Sequence, residues 1–66
     1  MKIVLNGQAR ELSAPLSIES LLLEEGFGAR RVAVEVNREI VPRSAHGART
    51  LADGDRVEIV HALGGG

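Results

Sequence analysis

Cysteine, tryptophan and tyrosine are absent from this 66-residue chain, and Phe27 is its only aromatic residue. Without cysteine there is no disulfide, no thiolate metal ligand and no cysteine nucleophile, and a small domain without disulfides is typical of the cytosol. A single aromatic side chain also provides no platform on which nucleic-acid bases could stack. Chemistry on a side-chain thiol is therefore excluded, and we expect a cytoplasmic protein.

An excess of positive charge and a long apolar run are also missing. Eight lysine and arginine residues balance nine aspartate and glutamate residues, for a net charge of −1. The basic face that phosphate binding requires is therefore not expected. The N-terminal apolar run, Ile3-Val4-Leu5, is far too short for a signal sequence or a membrane span. We expect neither nucleic acid nor a membrane as a partner.

The length allows one domain with a thin core. A chain of this size buries only about 60% of the surface that its unfolded form exposes. No room is left for an enclosed ligand pocket of the usual ~300–1,000 Å³. His46 has no second metal ligand at a usable spacing, and His61 has no neighbouring catalytic pattern. The sequence predicts no catalytic residue, no metal site and no bound cofactor, so we expect the protein to act through its surface or its ends.

The N-terminal third predicts a hairpin followed by a helix. Asn6-Gly7 comes directly after an aliphatic run and is typical of a type I′ hairpin turn, which needs positive φ at both central residues. Such a turn places Leu5 opposite Gln8. Further on, Ser17 is a suitable N-cap for a helix over residues 18–25.

The helix is predicted to bury one face and to end in a left-handed glycine. Its apolar stripe consists of Ile18, Leu21, Leu22 and, at the margin, Leu23. Its three glutamates, Glu19, Glu24 and Glu25, are expected to face water. Gly26 supplies the left-handed residue after the helix, and Phe27 can fold back onto Leu22 in a Schellman closure.

Alternating residues in the second half predict three more strands. The first covers residues 31–37 with its valines on one face, and an Asn37-Arg38 turn leads to a short strand over residues 39–41. Residues 43–49 form a loop with room for one helical turn. After a turn at residues 53–55, the last strand spans residues 56–62. In this strand, Val57 and Ile59 are expected to point inward. Glu58, Val60 and Ala62 are expected to point outward.

These elements predict an α+β fold with a mixed sheet of four to five strands and one crossing helix. A sheet with a helix across it is the two-layer arrangement that covers both the helix stripe and the valine face. The helix connects the hairpin to the remaining strands, so the first and last strands can pair in parallel at the centre of the sheet.

This order of elements, ending in a strand that leads to a diglycine, resembles the ubiquitin-like β-grasp fold. Within that fold the chain resembles the sulfur carriers of thiamine biosynthesis, the ThiS family. The resemblance rests on Arg-Val-Ala-Val-Glu-Val-Asn at 31–37, Glu-Ile-Val-Pro-Arg at 39–43, Asp-Gly-Asp-Arg-Val-Glu-Ile-Val-His at 53–61, and Gly64-Gly65-Gly66. It covers essentially the whole chain. Arg38 stands where many members carry a small turn residue.

The resemblance implies a carrier that partner enzymes act upon. The carboxylate of Gly66 would be adenylated with ATP by an adenylyltransferase related to ubiquitin-activating enzymes. It would then become a thiocarboxylate, with sulfur from a cysteine desulfurase or another donor, and deliver that sulfur to thiazole synthase. Gly65 would be its essential neighbour. The ATP belongs to the partner enzyme.

The tail and the strand before it are the predicted functional surface. Residues 1–63 are expected to form the globular domain and 64–66 a flexible tail, since glycine accepts the backbone angles of a narrow channel. Val60, Ala62 and Leu63 would form an apolar strip beside the reactive end on which the partners dock.

The residues themselves leave three other functions open. The molybdopterin synthase small subunit would have the same tail chemistry and a different acceptor. A β-grasp binding module would carry an inert tail, with the glycines only a frayed terminus. A protein modifier of the ubiquitin kind is disfavoured because Lys2 is the sole lysine.

Overall fold

The structure, a computed structural model, describes residues 1–28 and 30–61, with the backbone alone at His61. Its elements in chain order are β1 (Lys2–Leu5), β2 (Gln8–Glu11), α1 (Ile18–Glu24), β3 (Val32–Val36), β4 (Glu39–Val41), a 3₁₀ turn (Arg43–Ala45) and β5 (Arg56–His61). The strands form one sheet in the order β2-β1-β5-β3-β4. Because β1 and β5 are parallel and the other pairs antiparallel, the predicted mixed sheet with one helix is confirmed, with five strands.

The two tight turns of the sheet follow the predicted geometry. Asn6 and Gly7 have φ of 49° and 82°, as a type I′ turn requires, and Leu5 lies opposite Gln8. Asn37 and Arg38 have φ of 52° and 72° between β3 and β4. The second turn therefore holds an arginine in the left-handed region, where a side chain is unfavourable.

Helix α1 begins and ends at the predicted signals. The Ser17 hydroxyl oxygen accepts a hydrogen bond from the Ser20 N–H at 3.1 Å. At the other end Gly26 has φ of 87°, and the Gly26 and Phe27 N–H groups donate to the carbonyls of Leu23 and Leu22 at 3.1 and 2.9 Å. This is the expected Schellman closure. The helix is one residue shorter than predicted because Glu25 is its C-cap.

Two expectations about the helix surface are wrong. Leu23 is not at the margin of the buried stripe, since 62% of it is exposed and it lies on the outer side of α1. Glu25 is not a solvated residue, since it is partly buried and its carboxylate pairs with the guanidinium of Arg10 on β2. That ion pair ties the end of the helix to the hairpin.

The core lies between α1 and one face of the sheet. The fully buried apolar side chains are Ile3, Ile18, Leu21, Leu51, Val34, Val36 and Val57. His46 is buried beside them with 5% exposure, and its ring Nε2 lies 3.0 Å from the carbonyl oxygen of Val41, which makes the nitrogen the donor. The sequence predicts only that this histidine lies in the loop over residues 43–49. The hydrogen bond explains how an imidazole is accommodated in so small a core.

Candidate functional site

The face of the sheet opposite α1 is the surface that the sequence indicated for partner binding. Along β5, Val57 and Ile59 are buried under the helix, while Glu58 and Val60 are exposed on the open face. This confirms the predicted inward and outward sides for residues 57–60 of the strand. Val60 is 56% exposed, a high value for a valine in the interior of a five-stranded sheet.

Strand register places two further apolar side chains on the same face as Val60. Ala33 on β3 lies directly opposite Val60. Ile40 on β4 lies opposite Glu35, two residues further along β3, and is 71% exposed. Because directly paired residues point to the same face of a sheet, these three form one surface, which we name the open-face patch: Ala33, Ile40 and Val60.

Ile40 is a residue of the patch that sequence reasoning missed. Strand β4 has only three residues, Glu39–Val41, so its alternation is too short to show which side is inward. Once the structure shows that Val41 is buried, the preceding isoleucine must point to the other face, but the sequence alone does not identify Val41 as the buried residue.

Acidic groups border the patch. Glu58 on β5 lies directly opposite Glu35 on β3, so two carboxylates are neighbours on the open face. Arg56 precedes Glu58 by two residues on the same side of β5. The ion pair Arg10–Glu25 is on the helix side of the molecule and does not neutralise these groups. The patch is thus an apolar surface bordered by two carboxylates, with one guanidinium further along β5.

Strand β5 extends beyond the end of its parallel neighbour β1. Strand β1 pairs only with Arg56 and Val57, whereas β3 pairs with β5 as far as His61. Beyond the end of β1, the side-chain oxygen of Asn6 accepts a hydrogen bond from the Ile59 N–H at 2.8 Å. The end of β5 that leads to the predicted tail therefore has a strand neighbour on one side and an asparagine side chain on the other.

The remaining predicted site residues lie outside the described residues. These are Ala62, Leu63, Gly64, Gly65 and Gly66, so the predicted docking strip is represented here by Val60 alone. The boundary between a domain of 1–63 and a tail of 64–66 falls there as well and stays a prediction.

Other candidate groups have structural roles. The Asp53 carboxylate accepts the Lys2 N–H at 2.7 Å, and that of Asp55 accepts the Ala52 N–H at 2.8 Å, so both belong to the turn before β5. Within the described ranges, no three metal-binding side chains cluster. A cavity of about 140 Å³ near Arg10 and Glu25 is small for a ligand site. Among the described residues, none of the helices has the length and hydrophobicity of a membrane span.

Comparisons with known proteins identify the group to which the chain is similar. The model of the ThiS family matches residues 3–66. A thiazole synthase of Paramagnetospirillum magneticum is 50% identical over 66 residues, which are 100% of this chain and 20% of that protein. The sulfur carrier protein ThiS of Escherichia coli is 29% identical over the whole of both chains. The chain therefore spans about a fifth of the first relative and all of the second.

A solved structure agrees along the whole fold. The crystal structure of the thiamine biosynthesis protein ThiS from Geobacter metallireducens has a TM-score of 0.84 and 35% identity, and the alignment covers 100% of both chains. The β-grasp architecture expected from the order of elements is thereby confirmed. Since the family model and this structure both match nearly the entire chain, the protein belongs to the ThiS family.

Proposed function

We propose that this protein is the sulfur carrier of thiamine biosynthesis, a protein substrate that partner enzymes modify at the carboxylate of Gly66. The observation that carries the proposal is the match to the ThiS family over residues 3–66, together with the end-to-end alignment to a sulfur carrier protein. The small size of the cavity near Arg10 and Glu25, about 140 Å³, is consistent with a carrier that leaves the active sites to its partners.

The proposed chemistry begins with activation of the terminal carboxylate. A carboxylate oxygen of Gly66 attacks the α-phosphorus of ATP, pyrophosphate leaves, and an acyl-adenylate forms. Sulfur at the oxidation level of sulfide then attacks the acyl carbon and displaces AMP, which leaves a thiocarboxylate. Alternatively, the outer sulfur of a cysteine desulfurase persulfide attacks the acyl carbon and displaces AMP, which leaves an acyl disulfide between the two proteins. A thiol then attacks the desulfurase sulfur of this disulfide, forms a new disulfide with it and releases the thiocarboxylate. ATP is bound by the activating enzyme, where water that would hydrolyse the adenylate is excluded.

The three glycines suit this chemistry because a narrow active-site channel admits only a thin, adaptable chain. Glycine has no Cβ, so Gly64 and Gly65 can adopt whatever backbone angles the channel requires. Gly66 must end the polypeptide, since any following residue would convert its carboxylate to an amide. The proposal therefore depends on the mature protein ending at Gly66. A measurement of the intact mass of the purified protein tests this requirement first.

Thiazole synthase is the proposed acceptor of the sulfur. The relative named thiazole synthase contains a region similar to this whole chain within a much longer polypeptide, so the two kinds of module occur in one protein. We propose that in this chain Val60 docks on the same partner, with Ala62 and Leu63 beside it and the rest of the open-face patch around it. The activating enzyme would dock on that surface at a different step, in the cytosol.

The test is intact-mass spectrometry. The protein is incubated with ATP, a ubiquitin-activating-enzyme-like adenylyltransferase and a sulfide source, and it should gain the mass difference between sulfur and oxygen. A variant with one residue added after Gly66 is the matched control and should gain nothing. No gain for the native protein would refute the carrier function and leave a β-grasp module with an inert tail.

The acceptor is tested with the purified thiocarboxylate. Thiazole synthase and its small-molecule substrates should consume it and return the carboxylate. If the large subunit of molybdopterin synthase consumes the thiocarboxylate and thiazole synthase does not, the carrier serves molybdopterin synthesis.

A further inference from the structure

Two asparagine side chains cap backbone N–H groups of strand β5, one at its first residue and one at Ile59. Each asparagine is the first of the two central residues of a tight turn, with φ of 49° at Asn6 and 52° at Asn37. The Asn37 side-chain oxygen accepts the Arg56 N–H at 3.0 Å, where β5 begins. The Asn6 side-chain oxygen accepts the Ile59 N–H at 2.8 Å, toward the end where β5 leads to residues 62–66. In both caps a side-chain oxygen accepts a backbone N–H of the same strand, Asn37 at its first residue and Asn6 three residues further on.

The Asn6 cap compensates for the early end of β1. The Asn6 N–H donates to the Val57 carbonyl at 2.9 Å, after which the chain turns away into β2. The next N–H of β5 on that side belongs to Ile59, and no residue of β1 remains to receive it. The Asn6 side chain takes the place of that missing strand residue, in a contact between residues 53 positions apart.

We propose that Asn6 is a positioning residue for the reactive tail, a role that rests on the proposed sulfur-carrier function. Strand β3 alone pairs with β5 beyond Val57. With the Ile59 N–H bonded to Asn6, both edges of the strand are held at the residue that precedes Val60. The backbone of β5 at Ile59 is thereby fixed before a partner binds. Without the bond, each docking event has to order this end of the strand, which lowers the competent fraction of free carrier.

Asn37 provides the matched control because it stabilises β5 at least as strongly at the other end. Besides accepting the Arg56 N–H, its amide donates to the Asp55 carboxylate at 3.0 Å, and its backbone N–H donates to the Arg56 carbonyl at 2.7 Å. Replacing Asn37 therefore removes more side-chain hydrogen bonds than replacing Asn6, at a point remote from the tail. An effect that arises only from global stability would be at least as large for Asn37.

The experiment compares Asn6→Gly, Asn6→Asp and Asn37→Gly in thiocarboxylate formation by the activating enzyme. Glycine keeps the positive φ and removes the acceptor, whereas aspartate tolerates the turn and keeps an acceptor oxygen. We expect Asn6→Gly to raise KM about two- to tenfold, the range for one hydrogen bond, with kcat little changed. Asn6→Asp should restore most of the loss, and Asn37→Gly should leave KM near the native value. Urea denaturation of each variant confirms that all are folded under assay conditions.

Three outcomes would overturn the role of Asn6: an unchanged KM in Asn6→Gly, an equal rise in Asn37→Gly, or no rescue by aspartate. Failure of the sulfur-carrier function itself would look different, since the native protein would then form no thiocarboxylate. In that case amide hydrogen exchange at Ile59 and Val60 decides the question. Faster exchange in Asn6→Gly than in Asn37→Gly supports positioning of this end of β5, and equal rates refute it.

Discussion

Replacing Val60 by aspartate tests whether the open-face patch is the docking surface. Because Val60 is 56% exposed and points away from the core, a charged side chain there removes little packing from the folded protein. Only a complex that covers the site would lose apolar contact and enclose an unpaired carboxylate. The substitution should therefore separate binding from folding.

The magnitude follows from the exposed fraction of the side chain. Complete burial of a valine is worth about 1.5–3 kcal/mol, so covering the exposed 56% contributes about 1 kcal/mol. An unpaired polar group enclosed in the interface costs about 1–3 kcal/mol more. The sum of about 2–4 kcal/mol corresponds to a rise in KM of about thirtyfold or more. Glu35 and Glu58 border the site, so the added negative charge also meets like charges.

The assay measures KM for thiocarboxylate formation and, separately, for sulfur transfer to thiazole synthase. Leu23→Asp is the matched control because Leu23 is 62% exposed on the helix, away from the open face. Val60→Asp should raise KM with both enzymes, while Leu23→Asp should leave both unchanged. A native KM for Val60→Asp, or an equal rise for the control, would show that the partners dock elsewhere.

Three further substitutions test the folded structure by urea denaturation. Arg38→Gly should stabilise the protein by up to about 1 kcal/mol, because relief of a φ of 72° outweighs the entropy cost of glycine; lower stability would contradict the turn geometry. Ser17→Ala should destabilise the protein by about 1 kcal/mol through loss of the helix cap. An unchanged free energy of unfolding would show that the cap does not stabilise the helix. His46→Leu should lower the free energy of unfolding by about 1–3 kcal/mol because the Val41 carbonyl loses its hydrogen-bond donor. An unchanged urea midpoint would contradict that hydrogen bond.

The missing cysteine acquires a specific meaning under the proposed function. A thiol side chain is unnecessary when sulfur is carried on the terminal carboxylate, and a cysteine would add a site for exchange with the thiocarboxylate. The composition therefore excludes a thiol carrier without excluding a carboxylate one.

Local signals in the sequence determined the elements of this fold. The Asn6-Gly7 turn, the Ser17 cap and the closure at Gly26 were predicted because each depends on hydrogen bonds between residues a few positions apart. The inward side of β5 was predicted because alternation in a strand is a local property. The identity of the family was likewise visible in short motifs spread over the chain.

Only the tertiary structure decided which distant residues meet. The order β2-β1-β5-β3-β4 joins Ile40 to the surface of Val60, buries His46 and places Asn6 against Ile59. None of these contacts leaves a periodic signal, because each depends on which strands are neighbours and where one strand ends. The sequence by itself determined that a carrier-like domain would form. Strand order and the early end of β1 determined how the last described strand is held.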